Sequence, residues 1–367
     1  MVDLSRFRDK KYVGELIEKI HEVYKGITDK SVNIMEVCGT HTMAIGSYGI
    51  RGLMPEGLRL LSGPGCPVCV TPNSIINAAI ELASEKGVVI CTFGDMMRVP
   101  GSEKTLEVCR AEGADVRVLY SPFDMLRMAE NENDKNFVFI SVGFETTTPG
   151  IALTVREAKN RGLNNVFFLC ANRLVIPALK VLSEAKDINI DGFLCPGHVS
   201  VIIGYGAYRV ITDKYGIPCV VAGFEPVDIL MGIYEILKQV ADGKSFVVNT
   251  YGRAVTEGGN IEAQKVMDEV FKPVDAEWRG IGVIPESGLA LRDAYSDMDA
   301  LNAFDVVLRD APDPPGCKCG DILKGILIPP ECPLFGKKCT PQRPVGPCMV
   351  SSEGSCAAYY KYGEVQE

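Results

Sequence analysis

The sequence predicts an α/β protein: two parallel-sheet α/β domains plus a third, irregular, cysteine-rich domain. Three observations predict this. From residue 31 to 242, short continuous apolar runs alternate with segments of helical apolar spacing, the pattern of parallel strands covered on both faces. Each run ends in a Gly/Pro/polar turn. Beyond residue 242 the periodicity weakens, and six of the fourteen cysteines fall at Cys317, Cys319, Cys332, Cys339, Cys348 and Cys356.

The elements follow in order. Asp9–Lys25 carries Val13, Leu16, Ile17, Ile20 and Val23 at helical spacing, so 1–30 reads as an N-terminal helix packing on the third domain. In the first unit, 31–120, strand Val32–Val37 leads into CGTHT. Leu58–Leu61 leads into SGPGCPVCVTP and helix Asn73–Lys86. Val88–Cys91 leads into TFGDMMRVPGS and a helix to about Ala111, and Val116–Tyr120 closes the unit. The second unit, 121–242, holds Phe137–Val142 before GFETTTPG and helix Ile151–Arg161. Val166–Leu169 precedes CANR and helix Val175–Ala185, and Gly192–Leu194 precedes CPGHVS. Cys219–Ala222 precedes GFEP and helix Val227–Val240. The remainder, 243–367, forms the cysteine-rich domain.

Net charge is −9 without a basic tract, which argues against nucleic acid as a partner. No apolar run reaches membrane-spanning length, and the charged start has no signal-peptide core. A cytoplasmic location is therefore expected, where thiols stay reduced and abundant cysteine signals metal binding and redox chemistry.

In open parallel sheets, ligands bind beyond the carboxyl ends of strands, and every unusual motif here follows a strand. Cys38 and His41 put a thiol and an imidazole three residues apart; a buried Cys beside a hydrogen-bonded His is the plain alternative. Cys66 and Cys69 form a C-x-x-C on a Gly/Pro turn, able to close a disulfide, attack one or chelate a soft metal, with a helix N-terminus nearby to favour thiolate. Two unrelated cysteines in a turn is its alternative. Glu145, in GFETTTP, and His198, in PGHVS, could hold a proton or a polar ligand. Glu145 and its threonines equally suit a helix cap ahead of Pro149, and Asp95 has the same dual reading. Cys91, Cys109, Cys170, Cys195 and Cys219 lie mostly in apolar strands and read as buried small hydrophobes. No G-x-G-x-x-G opens a helix, and no complete P-loop or C-x3-C-x-x-C is present, which disfavours a simple dehydrogenase, NTPase or radical enzyme.

Cys317, Cys332, Cys339 and Cys356 fit C-x14-C-x6-C-x16-C in a proline-rich frame. Four thiolates suit a [4Fe–4S] cluster, one per iron. They also suit structural zinc. Cys319 and Cys348 remain as a redox pair.

Together CGTH (38–41), GPGCPVC (63–69), GFETTTP (143–149), PGHVS (196–200) and the array at 317–356 resemble the HypD family of hydrogenase maturation factors over nearly the whole chain. Cys195 departs from the glycine expected before PGHVS. The resemblance implies an assembly scaffold with thiol/disulfide redox activity that works with a small HypC-like chaperone. The pair would hold an iron ion while two cyanides, coming through a HypE-like donor, and one carbon monoxide are attached. The Fe(CN)2CO unit would then pass to the large subunit of a [NiFe] hydrogenase. By the same resemblance, Cys38 would be the iron thiolate, completed by a HypC cysteine, with His41 beside it and Cys66 and Cys69 as a nearby redox pair. Cys317, Cys332, Cys339 and Cys356 would hold the [4Fe–4S] cluster, and Cys319 and Cys348 would form an adjacent disulfide. Release of cyanide from an activated thiocyanate needs electrons, which a cluster could pass through a disulfide to C-x-x-C. Two rival readings use the same residues. A cluster-dependent disulfide reductase acting on a thioredoxin-like protein has no need for Cys38 and His41. A zinc-stabilised binding module would be colourless.

Overall fold

A computed structural model of the chain describes residues 5–27 and 31–363. Nine short strands run parallel in two sheets: β1 Val32–Glu36, β2 Leu58–Ser62, β3 Val88–Thr92, β4 Asp115–Val118, β5 Asn136–Ser141, β6 Val166–Cys170, β7 Gly192–Pro196, β8 Cys219–Ala222 and β9 Val247–Asn249. β1, β3, β7 and β8 are buried throughout, as continuous apolar runs require when helices cover both faces.

The sheets do not follow the sequential partition at residue 120. One has the order β2-β1-β7-β8-β9, the other β4-β3-β5-β6. The chain starts the first sheet, leaves to build the whole second sheet, and returns at β7. β1, β3, β5, β7 and β8 are alike in being almost wholly buried, so local pattern reports burial without naming the neighbour. The boundary at 242 moves too, because β9 completes the first sheet beside β8.

Helix Lys10–Lys25, capped by the Asp9 carboxylate on the Lys11 and Tyr12 N–H groups, lies on helix Pro226–Ala241. Its Leu16 and Ile20 enter the core of the first sheet with Ile34, Leu60, Leu194 and Ile233. This corrects the expected packing on the third region: the stripe is amphipathic as expected, but its partner is the apolar face of helix Pro226–Ala241, far along the chain.

The weak periodicity beyond 242 hides an antiparallel hairpin, β10 Phe271–Trp278 and β11 Gly282–Leu291. Trp278 is buried at its tip, stacked on Phe144 and donating Nε1–H to Ser287 Oγ at 2.8 Å. Residues 305–363 contain only short helices among irregular backbone, yet bury five of the six array cysteines. No described helix is long and apolar enough to cross a membrane.

Candidate thiol site at the sheet switch point

Strand order in the first sheet reverses between β1 and β7. From β1 the chain steps outward to β2, and from β7 it steps the other way to β8 and β9. The crevice beyond the carboxyl ends at such a point is the preferred ligand site of open parallel sheets. β1 delivers Cys38 and His41 there, β2 delivers Cys66 and Cys69, and β7 delivers His198. β8 delivers Gly223 and Phe224.

The CGTH and GPGC loops interlock through backbone. The Gly39 N–H donates to the Gly65 carbonyl at 3.0 Å. A Cβ on Gly65 would lie 2.2 Å from the Cys38 nitrogen and 2.4 Å from its Cα, so only glycine permits this approach. Cys38 caps helix Gly39–Ser47 and is buried. Burial pushes its thiol up to about 11, although the His41 and Thr40 N–H groups pull the other way. A bound cation would reverse that balance and drive the proton off.

Cys66 and Cys69 form a disulfide with a Cα–Cα distance of 5.2 Å. They sit on their own short helix, Pro67–Val70, where the Cys69 N–H points at Cys66 Sγ at 3.1 Å. The helix at Asn73–Ala83 starts only afterwards, behind Pro72.

His41 is fully buried, and its Nε2 lies 2.9 Å from the Gly223 carbonyl. A carbonyl only accepts, so Nε2 carries the proton and Nδ1 presents a lone pair, with no protein partner among the described residues. Burial lowers this imidazole to about 4 and keeps it neutral. Phe224 stands between the two histidines, its ring 4.8 Å from His41 and 4.1 Å from His198. His198 is the solvent-facing member.

Glu353 also reaches this crevice, and sequence reasoning missed it. Its Oε1 accepts the Thr40 hydroxyl at 2.8 Å, and its backbone rests on Gly39, where a Cβ would meet the Glu353 carbonyl oxygen at 2.5 Å. Asp95, at the carboxyl end of β3 in the other sheet, holds the same turn by accepting from Ser351 Oγ at 2.9 Å and the Ser352 N–H at 3.2 Å. Nothing in SSEGSC marks the glutamate, because its partners are Gly39 and Thr40, and the turn that carries it is held by Asp95.

Glu145 has a different place. Its Oε1 accepts the Val175 N–H at 3.0 Å, satisfying the first donor of helix Val175–Glu184 rather than that of the helix after its own loop. Oε2 is buried without a partner among the described residues, and burial pushes the carboxyl from its ordinary 4.5 up to about 7 against that hydrogen bond. The linkage has a definite sign. Between pH 4.5 and 7 the folded protein keeps a proton that the unfolded chain has lost, so stability from this group is full below 4.5 and is lost as pH rises to 7. The difference is worth about 3 kcal/mol. Glu145→Gln, which retains the acceptor for Val175, should therefore gain stability over wild type between pH 5 and pH 8 in denaturant titrations. A pH-independent difference would show that the carboxyl titrates normally.

The six C-terminal cysteines converge. The Cys319 thiol faces those of Cys317, Cys348 and Cys356, and Cys339 lies near Cys317 and Cys332. Donation from Cys319 lowers Cys317 to about 7, assisted by the Arg279 guanidinium, while Cys319 itself is pushed up. Cys319 and Cys348 are free thiols in contact here, not a disulfide. Among the described residues no three cysteine, histidine or carboxylate groups are set to hold a metal ion. The donor chemistry nevertheless fits a thiolate-bound cluster, since the set is all sulfur and largely buried. Gly346 leaves it room, because a Cβ there would lie 2.8 Å from Cys317 Sγ and 2.7 Å from Cys319 Sγ. Helix Pro67–Val70 packs on the turn Pro347–Met349, so the Cys66–Cys69 pair adjoins the array at Cys348.

Fold and site together define a thiol-based α/β protein with a crevice at the sheet switch point and a buried cysteine array behind it. The chain belongs to the HypD family of hydrogenase maturation factors: residues 11–363 match the family described as HypD, hydrogenase formation hypA family. It is 44% identical over 363 residues to the hydrogenase maturation factor HypD of Escherichia coli, covering 98% of this chain and 97% of that one. It is 43% identical over 374 residues to HypD of Cupriavidus necator, covering 99% and 98%.

Proposed function

We propose that this chain is the redox-active scaffold on which, with a HypC-like small chaperone, an iron ion is held in the cytoplasm while two cyanides and one carbon monoxide are attached. The cyanides would come from a HypE-like donor, and the Fe(CN)2CO unit would go on to the large subunit of a [NiFe] hydrogenase. The observation that carries this reading is the meeting of three loops: Cys38, the Cys66–Cys69 pair and the turn of Glu353 before Cys356 touch through Gly39, Gly65 and Thr40.

Cys38 supplies the protein thiolate to the iron cargo, with a chaperone cysteine opposite. Ferrous iron bearing cyanide suits soft sulfur in a buried site. His41 acts as a neutral, fixed imidazole, so it offers a lone pair and not a positive charge. His198 and Phe224 wall the crevice on its open side. Cys317, Cys332, Cys339 and Cys356 are the residues for a [4Fe–4S] cluster, which when bound would supply single electrons. Cys319 and Cys348 would cycle between dithiol and disulfide beside it, and Cys66–Cys69 would open by taking two electrons and two protons.

Anaerobic co-purification with the small partner tests the reading: the complex should show infrared bands of cyanide and carbon monoxide, and a complex without them sinks it. For the array, Cys332→Ala should lose iron, whereas Cys319→Ser should keep the cluster's visible absorbance. Full iron in the first, or a bleached second, would show that the ligand partition is wrong.

A further inference from the structure

Arg279 lies at the tip of the β10–β11 hairpin with its side chain only 2% exposed. Its guanidinium fork spans two separate parts of the chain. On one side Nε donates to the Thr71 carbonyl at 2.9 Å and Nη2 to Asn73 Oδ1 at 2.6 Å, and its backbone N–H donates to the Val70 carbonyl at 2.9 Å. Those residues end the Cys66–Cys69 helix and begin the next. On the other side Nη1 donates to Asp313 Oδ1 at 2.8 Å, four residues ahead of Cys317. Asn73 Nδ2 completes the bridge by donating to the Pro312 carbonyl at 2.8 Å. The neighbouring Gly280 rests on Gly320, where a Cβ would lie 2.1 Å from the Gly320 Cα. Three acceptors in different directions suit a planar fork and cannot be met by one ammonium.

We propose that Arg279 is a positioning residue for electron delivery to the Cys66–Cys69 pair, holding the C-x-x-C helix at a set distance from the segment entering Cys317 and Cys319. The inference rests on the reading above that the array passes electrons to that pair. In that step the Cys66–Cys69 sulfur–sulfur bond breaks and two S–H groups form. Two electrons come in single steps from a one-electron donor, which is oxidised, and two protons come from solvent. The fixed geometry sets the rate of this transfer and leaves the thiol chemistry itself untouched.

The test uses the full iron-loaded chain, reduced anaerobically with photoreduced deazaflavin and trapped with an alkylating agent at timed intervals. Alkylation of Cys66 and Cys69 is followed by peptide mass. Dithiothreitol, which attacks the disulfide directly, is the control. Arg279→Met and Arg279→Lys should both slow the deazaflavin-driven opening by about tenfold or more, since a misplacement of about 1 Å has effects of that size. Opening by dithiothreitol should stay at the wild-type level in both, and iron content in Arg279→Lys, which keeps the positive charge beside Cys317. Unchanged deazaflavin kinetics would overturn the proposal, as would a normal rate in Arg279→Lys, which would leave charge alone as the requirement. Should Arg279→Met lose iron or fail to fold, Asp313→Ala removes a single leg of the bridge and is read by the same criteria. A separate arm tests the underlying reading: if Cys332→Ala opens as fast as wild type, the array is not the route, and both inferences fall for that reason.

Discussion

Cys38→Ala should fold, keep its C-terminal iron and carry no cyanide or carbon monoxide bands in complex with the small partner. The fold survives because the loop is held by backbone. The Gly39–Gly65 hydrogen bond, the pairing of β1 with β2 and β7, and the cap geometry of helix Gly39–Ser47 use no sulfur. Loss of one buried sulfur costs about 1 kcal/mol. Iron on the array should survive, because the cysteines proposed to hold it lie in the chain after residue 316. The proposed assembly site should be emptied, because among the described residues no other free thiol is placed at the carboxyl end of β1, and Cys66 and Cys69 are engaged with each other. Bands at wild-type strength would mean that Cys38 is not the anchor. His41→Ala is a poorer probe. It leaves the Gly223 carbonyl unpaired and opens a cavity against Phe224, costing about 2–4 kcal/mol. A loss of activity there would mix folding with chemistry.

Gly65→Ala should be among the most damaging single-methyl changes in the protein. Its Cβ would sit 2.2–2.5 Å from the Cys38 nitrogen, the Cys38 Cα and the Val37 carbonyl carbon. All three are backbone atoms of a strand end buried in the first sheet, so no side chain can swing aside. The two loops must part, breaking the Gly39–Gly65 hydrogen bond and separating Cys38 from the C-x-x-C turn. A cost of about 3 kcal/mol is expected, at the upper end for overpacking. The assembly bands should vanish with it. Gly14→Ala is the control: it lies in helix Lys10–Lys25 with nothing within 4 Å of its Cβ, and should gain up to about 1 kcal/mol. Denaturant midpoints measure both. A Gly65→Ala protein as stable as wild type would show that the loops do not need this contact.

The α/β class, most strands and helices, and the strand-end placement of Cys38, His41, Cys66, Cys69 and His198 were legible in the sequence alone. They rest on local signals: apolar runs buried on both faces, 3.6-residue periodicity, and glycine and proline where the chain must turn. The array was legible as a concentration of thiols for the same reason, since six cysteines within 40 residues need no fold to be noticed. What only the tertiary structure decided were partners. Similarly buried strands do not state whether β2 is followed in space by β3, so the expected boundaries at 120 and 242 gave way when β7, β8 and β9 joined the first sheet. The helix Lys10–Lys25 declared an apolar stripe without declaring that helix Pro226–Ala241 would cover it. Glu145 read equally as a ligand holder and a cap, and the N–H it accepts belongs to Val175. Glu353 and Arg279 had no local mark at all, because a carboxylate or guanidinium acquires its role from groups far off in the chain. Periodicity records how deeply a residue is buried; which groups it meets there depends on long-range packing, and that is where Cys38, the C-x-x-C pair and the cysteine array became neighbours.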